Sequence, residues 1–308
     1  MGVSSEEAAK RAEAQADRSS TVRANIAEEG RAIDGGAEAA AVVDRLASQS
    51  RYFLTDADGT QMVWRRFGEG PAVLLVHGGH GNWLHWVRNI EALAAHHTVW
   101  VPDMPGYGES GDPTGPELSQ LVAAIAAGYA QLPDPGPIDV VGFSFGGLTS
   151  AHLASVLPRV RRLALLGPGG HAGPRRQQRA LVDWRAAPDA GALAAAMRHN
   201  VEAFMISNPE AIDALALLAY TDACRHTRFR SKHISRAGGL AEALDRFRGP
   251  SLLIWGEDDV TADPDSALAR LVDGRPRREG VIVPEAGHWV QYESFASINA
   301  ILLDWFEH

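Results

Sequence analysis

A single cysteine, Cys224, stands in 308 residues. No disulfide can form within the chain, so stability must come from a packed core, and the usage fits a reducing, cytoplasmic setting. Long apolar runs are missing as well. No stretch approaches the 18 or so uninterrupted apolar residues that a membrane-crossing helix needs, which argues against a membrane role. The opening MGVSSEEAAKRAEAQ has early acids and no apolar centre, unlike a secretory signal, and Glu6 occupies the position where N-myristoylation requires Ser or Thr. Basic residues are outnumbered 29 to 38, for a net charge of −9. Such a balance excludes the concentrated basic face of a nucleic-acid binder. The local exception, Arg175-Arg176-Gln177-Gln178-Arg179, reads as the solvated face of a helix. His and Cys show no ligand spacing with a third ligand in reach, so neither a metal nor another cofactor is expected.

Apolar residues make up 45% of the chain and charged ones 22%, ordinary values for a globular enzyme. Residues 1–50 lack aromatic side chains; Tyr52 is the first. Val22 and Ile26, then Val42, Val43 and Leu46, give short helical stripes around a Gly35-Gly36 break. This extension reads as helical, or as partly disordered up to about residue 20. It is expected to pack on the main body or on a second copy of the chain in a homodimer. From Arg51 the texture changes. Two strand-like runs flank Asp56-Ala57-Asp58-Gly59, a hairpin signal. Short apolar runs follow at 72–76, 98–101, 138–141, 163–166, 251–255 and 281–283, each with a turn signal and, for the most part, a helix-like segment after it. That alternation predicts an α/β fold with a mostly parallel central sheet flanked by helices. One gap of about 80 residues, before the 251–255 run, reads as a helical insertion. The expected organisation is therefore an extension at 1–50, a core at 51–170 and 248–308, and a helical lid at 171–247.

Chemistry enters at VVGFSFGG, residues 140–147, where Ser144 sits between Gly142 and Gly146 directly after a buried strand. Gly-x-Ser-x-Gly at a strand-to-helix junction is the pattern of a nucleophile held on a strained turn, where the outer positions have no room for side chains. A serine hydroxyl is a poor nucleophile alone and needs a base, and the base needs an acid to orient it. His288 follows the 281–283 strand in a short loop, VPEAGHW. His77 sits at a strand mouth and is read as a loop-holding contact. The remaining histidines lie in helix-like segments or lack the post-strand position. Asp259 follows the 251–255 strand in WGEDD, three residues after Gly256. Serine, aspartate and histidine then occur in the chain order expected of such a sheet. In LLVHGGHGNW the paired glycines after the 72–76 strand leave backbone N–H groups free to face an oxyanion. Gly79 and Phe145 are the expected donors. His80, Trp83, Phe143, Phe204, Met205, Tyr220 and Trp289 are the expected pocket residues, and Trp83, Trp86, Phe143, Phe145 and Trp289 are expected to give an aromatic wall for a small-molecule substrate that carries a ring.

These segments (HGG, PDMPGYGES, GFSFGG, GEDD and AGHW) resemble the α/β-hydrolase family from about Arg51 to the C-terminus. The resemblance implies a serine hydrolase with a Ser144–His288–Asp259 triad and a lid, acting on a small carboxylic ester through an acyl-enzyme. Haloalkane and epoxide hydrolases of the family use aspartate at the elbow, which Ser144 argues against. GHWVQYE and VEAFMISNPEAIDALALL are similar to the branch that cleaves meta-ring-fission products, so C–C bond hydrolysis is the alternative. That branch has a lid arginine at the position where Tyr220 falls, with Arg225 and Arg228 nearby. A non-catalytic ligand-binding member of the fold is the alternative of another class; loss of catalytic residues would mark it, and none is lost.

Overall fold

A computed structural model describes residues 26–307 apart from 32 and 134. Eight strands form one sheet: β1 (Arg51–Ala57), β2 (Thr60–Phe67), β3 (Ala72–Val76), β4 (Thr98–Asp103), β5 (Ile138–Phe143), β6 (Val160–Leu166), β7 (Ser251–Gly256) and β8 (Arg278–Val283). All eight coincide with the apolar runs read from sequence. β1 and β2 form an antiparallel hairpin, turning at Asp58 and Gly59, whose φ values of 51° and 85° are those a two-residue primed turn requires. β2 pairs antiparallel with β4, and every other pairing is parallel, in the order β1-β2-β4-β3-β5-β6-β7-β8. Leu74, Leu75 and Val76 of β3, and Val140 and Val141 of β5, are fully buried, as strands covered on both faces must be.

The strand order fixes where a site can form. After β3 the chain steps to one side for β4 and returns to the other for β5, so loops leaving β3 and β5 part at their carboxyl ends. Val76 pairs with Gly142 across this point, which sets the HGG loop beside Ser144. β6, β7 and β8 follow in order, bringing the loops after Leu166, Gly256 and Val283 to the same rim.

Helices Leu118–Tyr129 and Phe145–Leu153 pack on the sheet. Between β6 and β7 lie helices Ala190–Phe204, Ala214–Arg225, Lys232–Ala237 and Leu240–Arg246; the last packs against Phe145–Leu153. The Gly36–Gln49 helix buries Ala39, Ala40, Val43 and Leu46 and packs on Ala214–Arg225 of its own chain. Ile26 is buried in the same core, whereas Val22 and the segment read as partly disordered lie outside the described residues. The run Arg175–Arg179 is not the helix face read from sequence. It is irregular chain, tied down by Arg176 N–H to the Val260 carbonyl (2.9 Å) and by ion pairs of Arg176 with Asp263 and Arg179 with Glu202. Among the described residues no helix is long and apolar enough to cross a membrane.

Candidate active site

Ser144 links β5 to the Phe145–Leu153 helix with φ 54° and ψ −118°, a conformation that costs a non-glycine residue roughly 1–3 kcal/mol. Surrounding hydrogen bonds hold it there. Its N–H donates to the Leu166 carbonyl (2.9 Å), while its own carbonyl accepts from Gly147 (2.9 Å) and Gly169 (2.8 Å). The flanking glycines have a steric cause. A Cβ on Gly142 would lie 2.4 Å from the Gly146 carbonyl oxygen, and one on Gly146 would lie 2.1 Å from the His77 carbonyl oxygen.

His288 Nε2 lies 2.9 Å from Ser144 Oγ, and His288 Nδ1 lies 2.8 Å from Asp259 Oδ2. An ionised carboxylate only accepts, so Nδ1 carries the proton and Nε2 is free to accept from the serine hydroxyl. Thr261 Oγ1 sits 3.1 Å from the same Nδ1, and the Thr261 N–H donates to Asp259 Oδ1 at 2.7 Å. Asp259 is completely buried, which by itself would raise its pKa. The charge and hydrogen bond of His288, with the hydrogen bonds of Thr261, outweigh burial and hold the carboxyl below its ordinary value. Gly167 provides clearance: a Cβ there would lie 2.9 Å from Asp259 Oδ2 and 3.0 Å from His288 Nδ1, and its φ is 47°. Phe143 packs behind the imidazole, with ring centroids 5.0 Å apart, and Phe204 meets it edge-on at 5.4 Å.

The HGG loop is held by two neutral histidines. Burial lowers the His77 pKa to about 4, and burial followed by the charges of His77 and His288 takes His85 well below its ordinary value. His77 accepts the Met104 N–H at Nε2 (3.0 Å) and donates from Nδ1 to the Gly78 carbonyl (2.8 Å). The Gly78 N–H donates to His85 Nδ1 at 3.2 Å. Gly78 is thus held through both its N–H and its carbonyl, and the next residue, Gly79, lines the cavity with Phe145. The backbone N–H of neither has a hydrogen-bond partner among the described residues.

A cavity of about 510 Å³ opens over Ser144. Four of the seven expected pocket residues line it: His80, Phe204, Met205 and Tyr220. The other three are corrections. Trp83 is buried, stacked on Phe67 at 6.4 Å and under the Arg65 guanidinium at 4.5 Å. Phe143 is covered by His288 and His85, and Trp289 donates from Nε1 to the His85 carbonyl (3.0 Å) and packs on Tyr292. Trp86 is likewise fully buried, so of the expected aromatic wall only Phe145 lines the cavity. Arg225 pairs with Glu29 and Arg228 with Asp112, and neither lines the cavity. Tyr220 is buried against Cys224, and its phenol is pushed well above its ordinary pKa by that burial.

Sequence reasoning missed Arg175, Ser231, Lys232, Ser235 and Arg236, all on the cavity wall. Only the basic run at 175–179 offered a signal. It also missed Glu293, whose carboxylate accepts from the N–H groups of Gly287 (2.7 Å), Ser207 (3.1 Å) and Asn208 (2.8 Å) and from the Ser207 hydroxyl (2.9 Å). Those bonds, with Trp289 N–H to the Met205 carbonyl (2.6 Å), fasten the insertion to the loop that carries His288. Among the described residues no group of His, Cys, Asp and Glu is arranged to hold a metal ion.

The family model described as alpha/beta hydrolase fold matches residues 71–295. A 2-hydroxy-6-oxononadienedioate/2-hydroxy-6-oxononatrienedioate hydrolase of Comamonas testosteroni is 27% identical over 256 residues, 77% of this chain and 88% of the relative. A pimeloyl-[acyl-carrier protein] methyl ester esterase of Vibrio parahaemolyticus is 38% identical over 105 residues, 34% of this chain and 39% of the relative. The crystal structure of naproxen esterase from Bacillus subtilis superposes with a TM-score of 0.68 at 21% identity, covering 89% of this chain and 98% of that one.

Proposed function

The chain belongs to the alpha/beta hydrolase family, and from that membership we propose that it is a serine hydrolase cleaving a small carboxylic ester through an acyl-enzyme. The carrying observation is the unbroken relay Ser144 Oγ–His288 Nε2 (2.9 Å) and His288 Nδ1–Asp259 Oδ2 (2.8 Å). Ser144 Oγ attacks the carbonyl carbon as His288 takes its proton. Asp259 keeps the imidazole in the required tautomer and offsets the imidazolium charge. The oxyanion accepts from the N–H groups of Gly79 and Phe145, each worth roughly 3 kcal/mol at the transition state. His288 then returns the proton to the departing alcohol, and water, deprotonated by the same imidazole, releases the acid. Residues 171–247 serve as a lid over this site, a reading supported by Phe204, Met205 and Tyr220 on the cavity wall. Phe145, Phe204 and Tyr220 there suit a substrate with a ring. The free, buried thiol of Cys224 fits a cytoplasmic setting.

A second reading, C–C bond hydrolysis of a ring-fission product, is favoured by the extended likeness to the Comamonas testosteroni hydrolase. The two separate on a panel that pairs p-nitrophenyl butyrate with a ring-fission diketone. A fluorophosphonate probe tests the common premise. Wild type should be labelled on Ser144 and Ser144→Ala should not; equal labelling of the variant would remove Ser144 as nucleophile.

A further inference from the structure

The chain is acid-rich, yet the charged side chains that line its active cavity are all basic. Half-buried Arg175 and exposed Lys232 and Arg236 line the space over Ser144, and no Asp or Glu does. Several arginines elsewhere are matched: Arg65 with Asp103 and Glu109, Arg161 with Asp139, Arg176 with Asp263, Arg278 with Asp245. The three cavity bases have no ion-pair partner among the described residues. Arg175 makes a single long contact, 3.4 Å from Nη2 to the Ser235 carbonyl.

Their convergence follows from the backbone. Lys232, Ser235 and Arg236 stand at i, i+3 and i+4 of the Lys232–Ala237 helix, hence on one face, and that face lines the cavity. The helix is docked beside the nucleophile, because Gly170 N–H donates to the Ser235 carbonyl (2.8 Å) while Gly169 N–H donates to that of Ser144. Arg175 arrives from the irregular segment after β6. Desolvation first, then the charge of Arg236, lowers its pKa against the opposing pull of Asp259, so the two guanidiniums lie within electrostatic reach. Lys232 likewise acts on His80 across the cavity, after burial and alongside Arg185. Only two of the 29 basic residues are lysines, Lys10 and Lys232. Like charges gathered on one wall, opposed at Arg175 by the charge of Asp259, raise the free energy of the empty site and lower that of an anion in it.

We infer that Arg175, Lys232 and Arg236 form an anion-binding wall, and that the ester cleaved at Ser144 carries a free carboxylate, as a half-ester of a dicarboxylic acid does. The inference deepens the serine-hydrolase reading and rests on it for the identity of the cleaved bond. A carboxylate matches the planar guanidinium fork. The donors are side chains, not the run of backbone N–H groups that cradles phosphate.

The test has a binding arm and a turnover arm. Lys232 is modified with trinitrobenzenesulfonate and followed by peptide mass spectrometry, with Lys10 as internal control. Adipate should slow modification of Lys232 and not of Lys10, and Arg236→Gln should weaken the protection about tenfold in adipate concentration, the scale of one lost charge-assisted hydrogen bond. No protection by adipate, or stronger protection by inorganic phosphate, overturns the carboxylate wall. For turnover, mono-p-nitrophenyl adipate is compared with p-nitrophenyl hexanoate. Wild type should favour the anionic ester in kcat/KM by about tenfold or more at low salt and lose much of that preference at 1 M salt. Arg175→Gln and Arg236→Gln should each reduce the ratio. Equal kcat/KM for both esters overturns the wall while leaving the serine-hydrolase reading in place. Protection of Lys232 with no turnover of either ester and no fluorophosphonate labelling sinks that reading and leaves the wall standing.

Discussion

Ser144 has a backbone angle that most side chains avoid, and three hydrogen bonds pay for it. The strain lifts its hydroxyl clear of the buried strand into reach of His288. In the proposed mechanism Asp259 acts through the imidazole, to which it is hydrogen-bonded. Asp259→Asn, which would present an amide to Nδ1 and favour the wrong tautomer, should lower kcat by about 10⁴-fold with little change in thermal midpoint. A comparable loss of stability would instead make Asp259 a structural residue. Gly167→Ala should push on Asp259 and His288 together, and at φ 47° it adds backbone strain. Loss of at least about tenfold in kcat/KM is expected from misplacing the base by a few tenths of an ångström to an ångström; wild-type kinetics would contradict that clearance role. Convergence was legible at this scale where position along a strand decides it, as for Ser144, Asp259 and His288. Direction was not. Trp83, Phe143 and Trp289 flank the motifs in sequence, but each turns inward, because a large apolar ring is stabilised by burial. Sequence adjacency to a motif says nothing about which way a ring points.

At the scale of elements, two joints hold the insertion. One is Glu293, accepting four hydrogen bonds that tie residues 207–208 to the histidine loop. Glu293→Gln would set an amide NH₂ against donors, at a cost of about 2 kcal/mol. Its thermal midpoint should fall by several degrees, and kcat/KM should fall with it; an unchanged midpoint would rule the joint out. The other joint lies where Glu29 meets the Ala214–Arg225 helix near Asp222 and His226. Burial first, then the charge of Asp222, raises Glu29 to about 8; the hydrogen bond to Asp222 raises His226 to about 9. Both groups hold their protons more tightly folded than unfolded. Their stabilisation is complete below the ordinary values of 4.5 and 6.5 and is lost as pH climbs through about 8 and 9. Amide exchange at residues 26–31, corrected for intrinsic base catalysis, should therefore speed up between pH 7 and 9.5, and Glu29→Gln should blunt the rise. Constant protection across that range would contradict it.

For the molecule as a whole, strand order does most of the positioning. Apolar runs bounded by turn residues made every strand readable, and buried parallel strands look the same wherever they stand. Their spatial order puts five loops distant in sequence on one rim, and that order follows from the chain's reversal after β3. The cavity's charge was not readable in this way. Arg175 lies in irregular chain and Lys232 and Arg236 on a six-residue helix, so periodicity offered no hint that they meet. The net charge of −9 pointed away from a basic site altogether. Tertiary folding concentrates a local excess that composition averages out.

The central claim is covalent: residue 144 accepts the acyl group. Rapid-quench mass spectrometry of the protein mixed with mono-p-nitrophenyl adipate addresses it directly. The expected result is a transient peptide adduct of the acyl mass on Ser144, formed with the p-nitrophenol burst and absent from Ser144→Ala. An adduct on another residue, or undiminished turnover by the variant, would contradict the account.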